Sequence, residues 1–321
     1  MDINKFDEQK YLKANPDVDL AVKNGSFKSG WDHYDKYGRG EGRSLVSALE
    51  NRRKKVLSEV DPLGLGLEIG PSHNPIAPKC DGFNVKILDH LDQHGLREKY
   101  SKHNVDIEKI EEVDYVWSGE SLEELVGKVE VFDWIIASHV IEHVPDLIKF
   151  IQQCEKLLKL GGKLSLVIPD KRYCFDYFNP TTLTGELLDA YLQNHIKPSP
   201  GKIFDHFINA ATCSGQIAWD KDSSGSMGLL HTASQAKELY ERSINSNEYI
   251  DVHSWRFTPE SFRLIISDLR LLKLINFSIL KEYETVGCEF YVTLSNGLVN
   301  SGNLLNNRIV LLGAIKQGLS E

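Results

Sequence analysis

LGLEIGP, spanning Leu65 to Pro71, is the stretch on which the fold turns. It reads as a short apolar strand that ends in an acid, Glu68, and a glycine turn at Gly70. A second run, VKILD from Val85 to Asp89, closes on another acid. A doubly wound α/β domain presents a nucleoside ligand at the carboxyl ends of such strands.

Working outward, apolar runs place strands at 65–69, 84–89, 113–117, 132–137 and 163–168, with helices between them. The clearest helix is 146–159, where Leu147, Phe150, Ile151, Cys154 and Leu158 recur at three- and four-residue spacing. Gly161-Gly162 close that helix and start the next strand. Strands alternating with helices imply a parallel sheet. Beyond Pro169 the pattern loosens for about ninety residues, an unusual length for a connection. Thr258-Pro259-Glu260 then starts a helix to about Leu272, and two strands follow near 275–283 and 287–295. Residues 299–317 read as one terminal helix.

Two further segments are FDWIIASHVIEHVPD (Phe132 to Asp146) and LLKLGGKLSLVIPD (Leu157 to Asp170). With them the chain resembles a class I S-adenosylmethionine-dependent methyltransferase of type 11/23 over roughly 63–170. The resemblance implies a Rossmann-like, mostly parallel seven-stranded sheet with a reversed last strand, and S-adenosylmethionine as cofactor. Asp89 would hold the ribose diol, since a carboxylate at a strand end can accept both hydroxyl protons. Asp92 is its reserve, His90 follows in the same loop, and a helix N-cap is the other reading of Asp89. Gly70, Pro71 and Ser72 fall on the family's acidic-x-Gly-x-Gly loop, with Ser72 in place of the second glycine and placed to bond the methionyl carboxylate. Glu68 would receive the cofactor's ammonium, directly or through water. Gly119 and Glu120 stand at the adenine position, although 120–124 equally reads as the start of a solvated helix. Ser138 and His139 would line the pocket at the end of the fourth strand. Without a full GxGxxG, a dinucleotide is disfavoured, because its pyrophosphate needs glycine-rich backbone at a helix start.

His139-Val140-Ile141-Glu142-His143 also matches the inverted zinc-peptidase pattern H-x-x-E-H. There, two histidines one helical turn apart bind the metal. Pro145 disfavours helix at Val144, so the helix begins at Pro145-Asp146, after the motif. No metal site is expected. Glu142 and His143 read as supporting or capping groups, with simple packing against the sheet as the other reading of His143.

Residues 6–43 stand apart and carry FDxxxYLxxNPDV and HYxxxGxxEGR signatures, which resemble a small helical module attached to bacterial glycan-modifying and surface-associated proteins. Within it, Asn15-Pro16-Asp17 stops one helix and restarts another. The expected organisation is a module at 1–44, a linker helix at 45–62, a methyltransferase domain at 63–298 with an insertion at about 170–257, and a tail at 299–321. So small a module makes a marginal core alone, so residues 6–43 are expected to dock on the main domain or on a protein partner.

The net charge of −9 weighs against nucleic acid, whose affinity is largely phosphate neutralisation. No apolar run approaches the roughly 18–20 residues of a membrane span, and the start lacks a signal-peptide pattern. Five scattered cysteines suggest neither disulfides nor a zinc knuckle, and point to a reduced, cytoplasmic setting.

Methyl transfer is an in-line displacement that needs orientation, exclusion of water and, for a hydroxyl or protonated amine, removal of a proton. His139, His206 and His253 are the histidines placed to assist, since their pKa lies near working pH. Arg172, Tyr173, Trp255 and Arg256, in the insertion, are the candidates for the acceptor, with the arginines steering an anionic group such as a sugar phosphate. The reading is a methyltransferase acting on oxygen or nitrogen of a small molecule or saccharide, with a place in surface polysaccharide biosynthesis. A zinc hydrolase and a non-catalytic scaffold are the competitors.

Overall fold

The computed structural model describes residues 3, 6–297 and 304–318, and the chain divides into two compact units, Met1–Ser58 and Glu59–Glu321. In the first, Asp7 caps α1 (Glu8–Ala14) by accepting the Lys10 N–H. Asn15 ends that helix, and Pro16 restarts the chain as α2 (Pro16–Lys23). α3 (Gly30–His33) runs into a π-turn at Tyr34–Gly38, and α4 is Ala48–Val56. Aromatic rings make this core: Phe6 packs 5.0–5.3 Å from Tyr11, Trp31 and Tyr34. Tyr11 is fully buried and its hydroxyl meets His33 Nδ1 at 2.8 Å. Large rings let a short segment bury enough apolar area to order.

The second unit opens with β1 (Gly66–Ile69), β2 (Val85–Asp89), α5 (Gln93–Tyr100), β3 (Tyr115–Val116), α6 (Leu122–Val126), β4 (Phe132–Ser138), α7 (Leu147–Leu157) and β5 (Leu158–Pro169). Later come α8 (Thr184–Leu192), α9 (Pro200–Asn209), β6 (Ala211–Cys213), β7 (Met227–Leu229), α10 (Ala233–Asn245), α11 (Pro259–Leu271), β8 (Ser278–Val286), β9 (Glu289–Ser295) and α12 (Leu304–Gly318). Residues 299–303 of the expected terminal helix lie outside the described residues.

The main sheet has seven strands in the order β3-β2-β1-β4-β5-β9-β8. β1 to β5 are parallel, and β9, the last strand, runs antiparallel to both neighbours. This is the doubly wound, mostly parallel sheet with a reversed last strand. The central strands are buried on both faces, as in any sheet covered by crossover helices: β1 is buried throughout, and Trp134 to Ala137 of β4 are at most 1% exposed. A Cβ on Gly66 would fall inside the Trp134 indole, so this register needs glycine there. The apolar stripe of α7, including Ile148, Ile151 and Cys154, packs onto the sheet.

Two expectations change. Gly161-Gly162 do not close α7, which already ends at Leu157; Gly161, at φ +78, instead lies where the pairing of β5 with β4 shifts register between Phe132 and Trp134. The region after β5 is not a loose connection but holds α8, α9, α10 and a small β6–β7 ribbon.

Candidate active site

The carboxyl ends of β1, β2 and β4 meet around Gly70. Gly70 has φ +65, and a Cβ there would stand 3.1 Å from Val140 Cγ2, so the turn after β1 packs on the loop after β4. Two non-glycine residues of the same region are also left-handed, Ser72 at φ +51 and His139 at φ +54. Such backbone persists only where its surroundings hold it, and it clusters at functional sites.

Asp89 ends β2 and is 3% exposed. Its Oδ2 accepts the Ser72 N–H at 3.1 Å, while its Oδ1 accepts the His90 N–H at 2.8 Å and faces His90 Nδ1 at 2.6 Å. The carboxylate thus ties the first turn to the second strand. The N-cap is a different acid: Asp92 caps α5 by accepting the Gly95 N–H.

Both Glu68 carboxylate oxygens are engaged by backbone: they accept the N–H groups of Ile76 and Ala77, at 2.6 and 3.0 Å, and the residue is 1% exposed. It draws the far end of the Pro71–Pro75 loop back onto β1. Beyond β3, Glu120 folds in on Ser118, accepting from its N–H and Oγ, and those bonds lower its pKa. The helix-start reading of 120–124 also holds: Ser121, the next residue, caps α6 in a capping box with Glu124. Gly119 has φ +115, and the half-exposed Trp117 beside it offers an aromatic face that periodicity alone did not single out.

The helix after the HxxEH segment begins at Leu147, capped by Asp146, so residues 139–146 form a loop. His139 and His143 are not a matched pair. His139 Nε2 lies 2.7 Å from Glu289 and its Nδ1 lies 3.5 Å from Glu142. Burial opposes its charge, but the two carboxylates prevail and raise its pKa to about 9. These contacts favour the protonated imidazole. His143 turns elsewhere, with Nδ1 2.8 Å from Asp251. Burial pulls its pKa down, and Asp251 and Glu142 more than offset this.

His253 joins this group from the insertion. Its Nδ1 lies 2.5 Å from Oδ2 of Asp176, which is 1% exposed. The His143 and His253 rings meet edge-on, 4.7 Å apart. His206 is a neighbour of another kind: its Nδ1 accepts the His253 backbone N–H at 3.1 Å. Burial and the adjacent His253 push its pKa down to about 3, too low for a useful base. The sequence therefore brings two of its three histidines together, but in one of them the ring nitrogen is spent on backbone.

The four acceptor candidates each carry contacts within the protein. Arg172 spends its fork on the buried Asp170, with Nε and Nη2 at 3.0 and 2.7 Å, so it has little left for an anionic ligand. Tyr173 lies under that guanidinium, 5.4 Å away, and its carbonyl accepts the Trp219 N–H. Trp255 is 2% exposed and donates Nε1–H to the Val144 carbonyl at 2.6 Å, so it braces the loop. Arg256 is buried and reaches Asp176 with Nε at 3.3 Å, leaving Nη2 without a hydrogen-bond partner. Asp176 and Asp251 escaped notice because acids in irregular segments give no periodic signal, and Glu289 because it stands at the very start of β9. No helix among the described residues is long and apolar enough to cross a membrane.

Comparison with known proteins adds a family. A family model described as a methyltransferase domain matches residues 40–215. The mitochondrial ubiquinone biosynthesis O-methyltransferase of Bos taurus is 35% identical over 128 residues, 40% of this chain and 33% of the relative. The human counterpart is 48% identical over 52 residues, 16% of this chain. The chain thus spans a third or less of the length of these curated relatives. A solved S-adenosylmethionine-dependent methyltransferase from Methanosarcina mazei covers 76% of this chain, and 97% of its own is covered, at 14% identity and a TM-score of 0.38.

Proposed function

The chain belongs to the S-adenosylmethionine-dependent methyltransferase family, and on that premise we propose that it transfers a methyl group to oxygen or nitrogen of a small-molecule or saccharide acceptor. The observation that carries this reading is the Gly70 turn fastened to Asp89 through the Ser72 N–H. It sets a Cβ-free turn and a carboxylate side by side at adjacent strand ends, as an adenosyl ligand requires.

When bound, S-adenosylmethionine supplies an electrophilic methyl on a sulfonium. The fit is physical. Asp89 Oδ2 has one protein donor, so a lone pair remains for a ribose hydroxyl once the Ser72–His73 loop shifts. Gly70 lets the methionyl end approach backbone. Trp117 and Gly119 face the base edge. Glu68 keeps the loop in place and does not itself grip the ligand.

Removal of a proton from the acceptor falls to the cluster of Glu142, His143 and His253, rather than to protonated His139 or to His206. The relatives' names favour oxygen over nitrogen as the acceptor atom, with an intermediate of ubiquinone biosynthesis as a second acceptor class beside a saccharide. The saccharide reading, a place in surface polysaccharide synthesis and a protein partner for residues 6–43 all rest on the resemblance of the N-terminal module. A cytoplasmic location rests on the scattered free thiols.

The test is calorimetric titration of the purified chain with S-adenosylmethionine and S-adenosylhomocysteine, followed by labelled-methyl transfer to extract fractions sorted into saccharide, lipid and protein acceptors. One-to-one binding supports the reading. No binding by folded protein rejects it in favour of a scaffold.

A further inference from the structure

We propose that Glu142, His143 and His253 form a binding site for one first-row divalent transition-metal ion, such as zinc, cobalt or iron(II). One ligand atom from each residue lies within 4.8 Å of the other two. The residues come from two segments, the loop after β4 and the extended stretch leading to α11. Backbone fixes these segments together: the N–H groups of Ser254 and Trp255 donate to the Glu142 carbonyl at 2.7 and 3.2 Å.

Glu142 gives the strongest indication. It is 0% exposed, and neither carboxylate oxygen has a hydrogen-bond partner. A buried carboxylate without hydrogen bonds is costly, and natural proteins compensate it with paired charge or a metal. Glu142 has only two histidine nitrogens at ion-pair distance among the described residues, His139 Nδ1 at 3.5 Å and His143 Nε2 at 4.0 Å, and hydrogen-bonds to neither.

The two histidines are presented in the manner of ligands. His143 Nδ1 is held by Asp251 at 2.8 Å and His253 Nδ1 by Asp176 at 2.5 Å. Metal-binding histidines characteristically give their second ring N–H to a carboxylate, which fixes the tautomer and leaves a lone pair on the other nitrogen. Two separate acids do this here for two adjacent rings. Both leave Nε2 for an ion.

Two imidazoles and one carboxylate suit zinc, cobalt or iron(II) better than magnesium or calcium, which prefer oxygen alone. Ligand atoms about 2.1 Å from an ion stand about 3.4 Å apart, so no pair, all lying within 4.8 Å, need close by more than roughly 1.4 Å on binding. Only three protein ligands leave open positions for oxygen, such as a water or an acceptor hydroxyl. Val140, in the same loop as Glu142 and His143, packs on Gly70, so this loop borders the proposed donor site. This set differs from HxxEH: His139 Nε2 is held by Glu289 and its Nδ1 faces Glu142, so it is left out of the ligand set.

The assignment goes beyond methyl transfer, since an ion on these side chains takes the lone pairs assigned above to proton removal and confines that role to the metal-free chain; the readout is independent of activity. The full chain, stripped with chelator, is titrated with Co²⁺ while d–d absorption is followed, and Zn²⁺ content is measured after dialysis. The expected result is one ion per chain, lost in His253→Ala and Glu142→Gln. Asp251→Asn should weaken binding by about 10- to 100-fold; its side chain is 68% exposed, so that variant decides the matter if the buried ones fail to fold. Absence of metal uptake by the native chain overturns the proposal. So does a folded His253→Ala protein, or a folded Asp251→Asn protein, that binds Co²⁺ with native affinity and spectrum. A chain that binds metal yet transfers no methyl group leaves this site standing and removes only the proposed activity.

Discussion

The Ser72 backbone N–H donates to Asp89 Oδ2 at 3.1 Å, across 17 residues of sequence. One hydrogen bond thereby joins the turn after β1 to the end of β2. If Asp89 also holds the ribose diol, Asp89→Ala removes a charged acceptor from both partners. Hydrogen bonds to charged groups contribute about 1.5–3 kcal/mol. Calorimetry with S-adenosylhomocysteine should then show affinity about 10- to 100-fold weaker, with circular dichroism unchanged. Native affinity in a folded Asp89→Ala protein would sink the donor site.

Ser72 carries its N–H in a left-handed backbone, φ +51, where a Cβ is strained by roughly 1–2 kcal/mol. Ser72→Gly removes the strain and keeps the N–H, at some cost in unfolded-state entropy. We expect a stability gain of up to about 1 kcal/mol in urea unfolding, with donor affinity held within twofold. Ser72→Pro deletes the donor and should weaken both.

Glu68→Gln separates a loop clamp from an ammonium ligand. The amide keeps one acceptor but sets its NH₂ against a backbone N–H of Ile76 or Ala77. Loss of that buried bond costs about 1–3 kcal/mol. The prediction is a lower melting temperature, with donor binding falling only as far as the loop loosens. An unchanged melting temperature with abolished binding would return Glu68 to the direct role.

Much of this was legible beforehand, and physics explains what was not. β1, β2, β4 and α7 announce themselves because burial on both faces, or along one helical stripe, forces apolar runs of fixed period. Pro145 correctly put the helix after the HxxEH loop. β3 is harder to see, since only Tyr115–Val116 pair. The insertion hid its helices, although Thr232 and Gln235 form the capping box that starts α10. The partners of Asp176 and Asp251 lie 77 and 108 residues away, beyond any local pattern.

Asp114 offers a pH test away from the site. Burial raises its pKa, but bonds from Lys79 Nζ, Lys86 Nζ and the Ile87 N–H prevail and hold it below 3.8. A depressed folded-state pKa adds stability that is complete above the unfolded value and disappears as pH falls through the folded one. Between neutrality and about pH 4.5 this contribution should be flat, and below pH 3.8 it should decline. Asp114→Asn should unfold more easily at neutral pH and show a shallower acid limb in denaturant titrations from pH 6 to 2.5. Parallel acid limbs in the two proteins would refute the linkage.

His206 separates support from chemistry at the histidine cluster. Its Nδ1 accepts the His253 N–H, and a pKa near 3 leaves it neutral throughout the working range. His206→Ala leaves that N–H without its acceptor and frees the segment that carries His253, so kcat should fall. Asn places an acceptor oxygen close to where Nδ1 stands, and His206→Asn should recover most of the loss. A general base could not be replaced this way, because a carboxamide does not take up a proton. Recovery by Asn with an unmoved pH–rate profile therefore marks His206 as a positioning residue, whereas equal loss in both variants, with the acid limb displaced, would restore it to proton transfer.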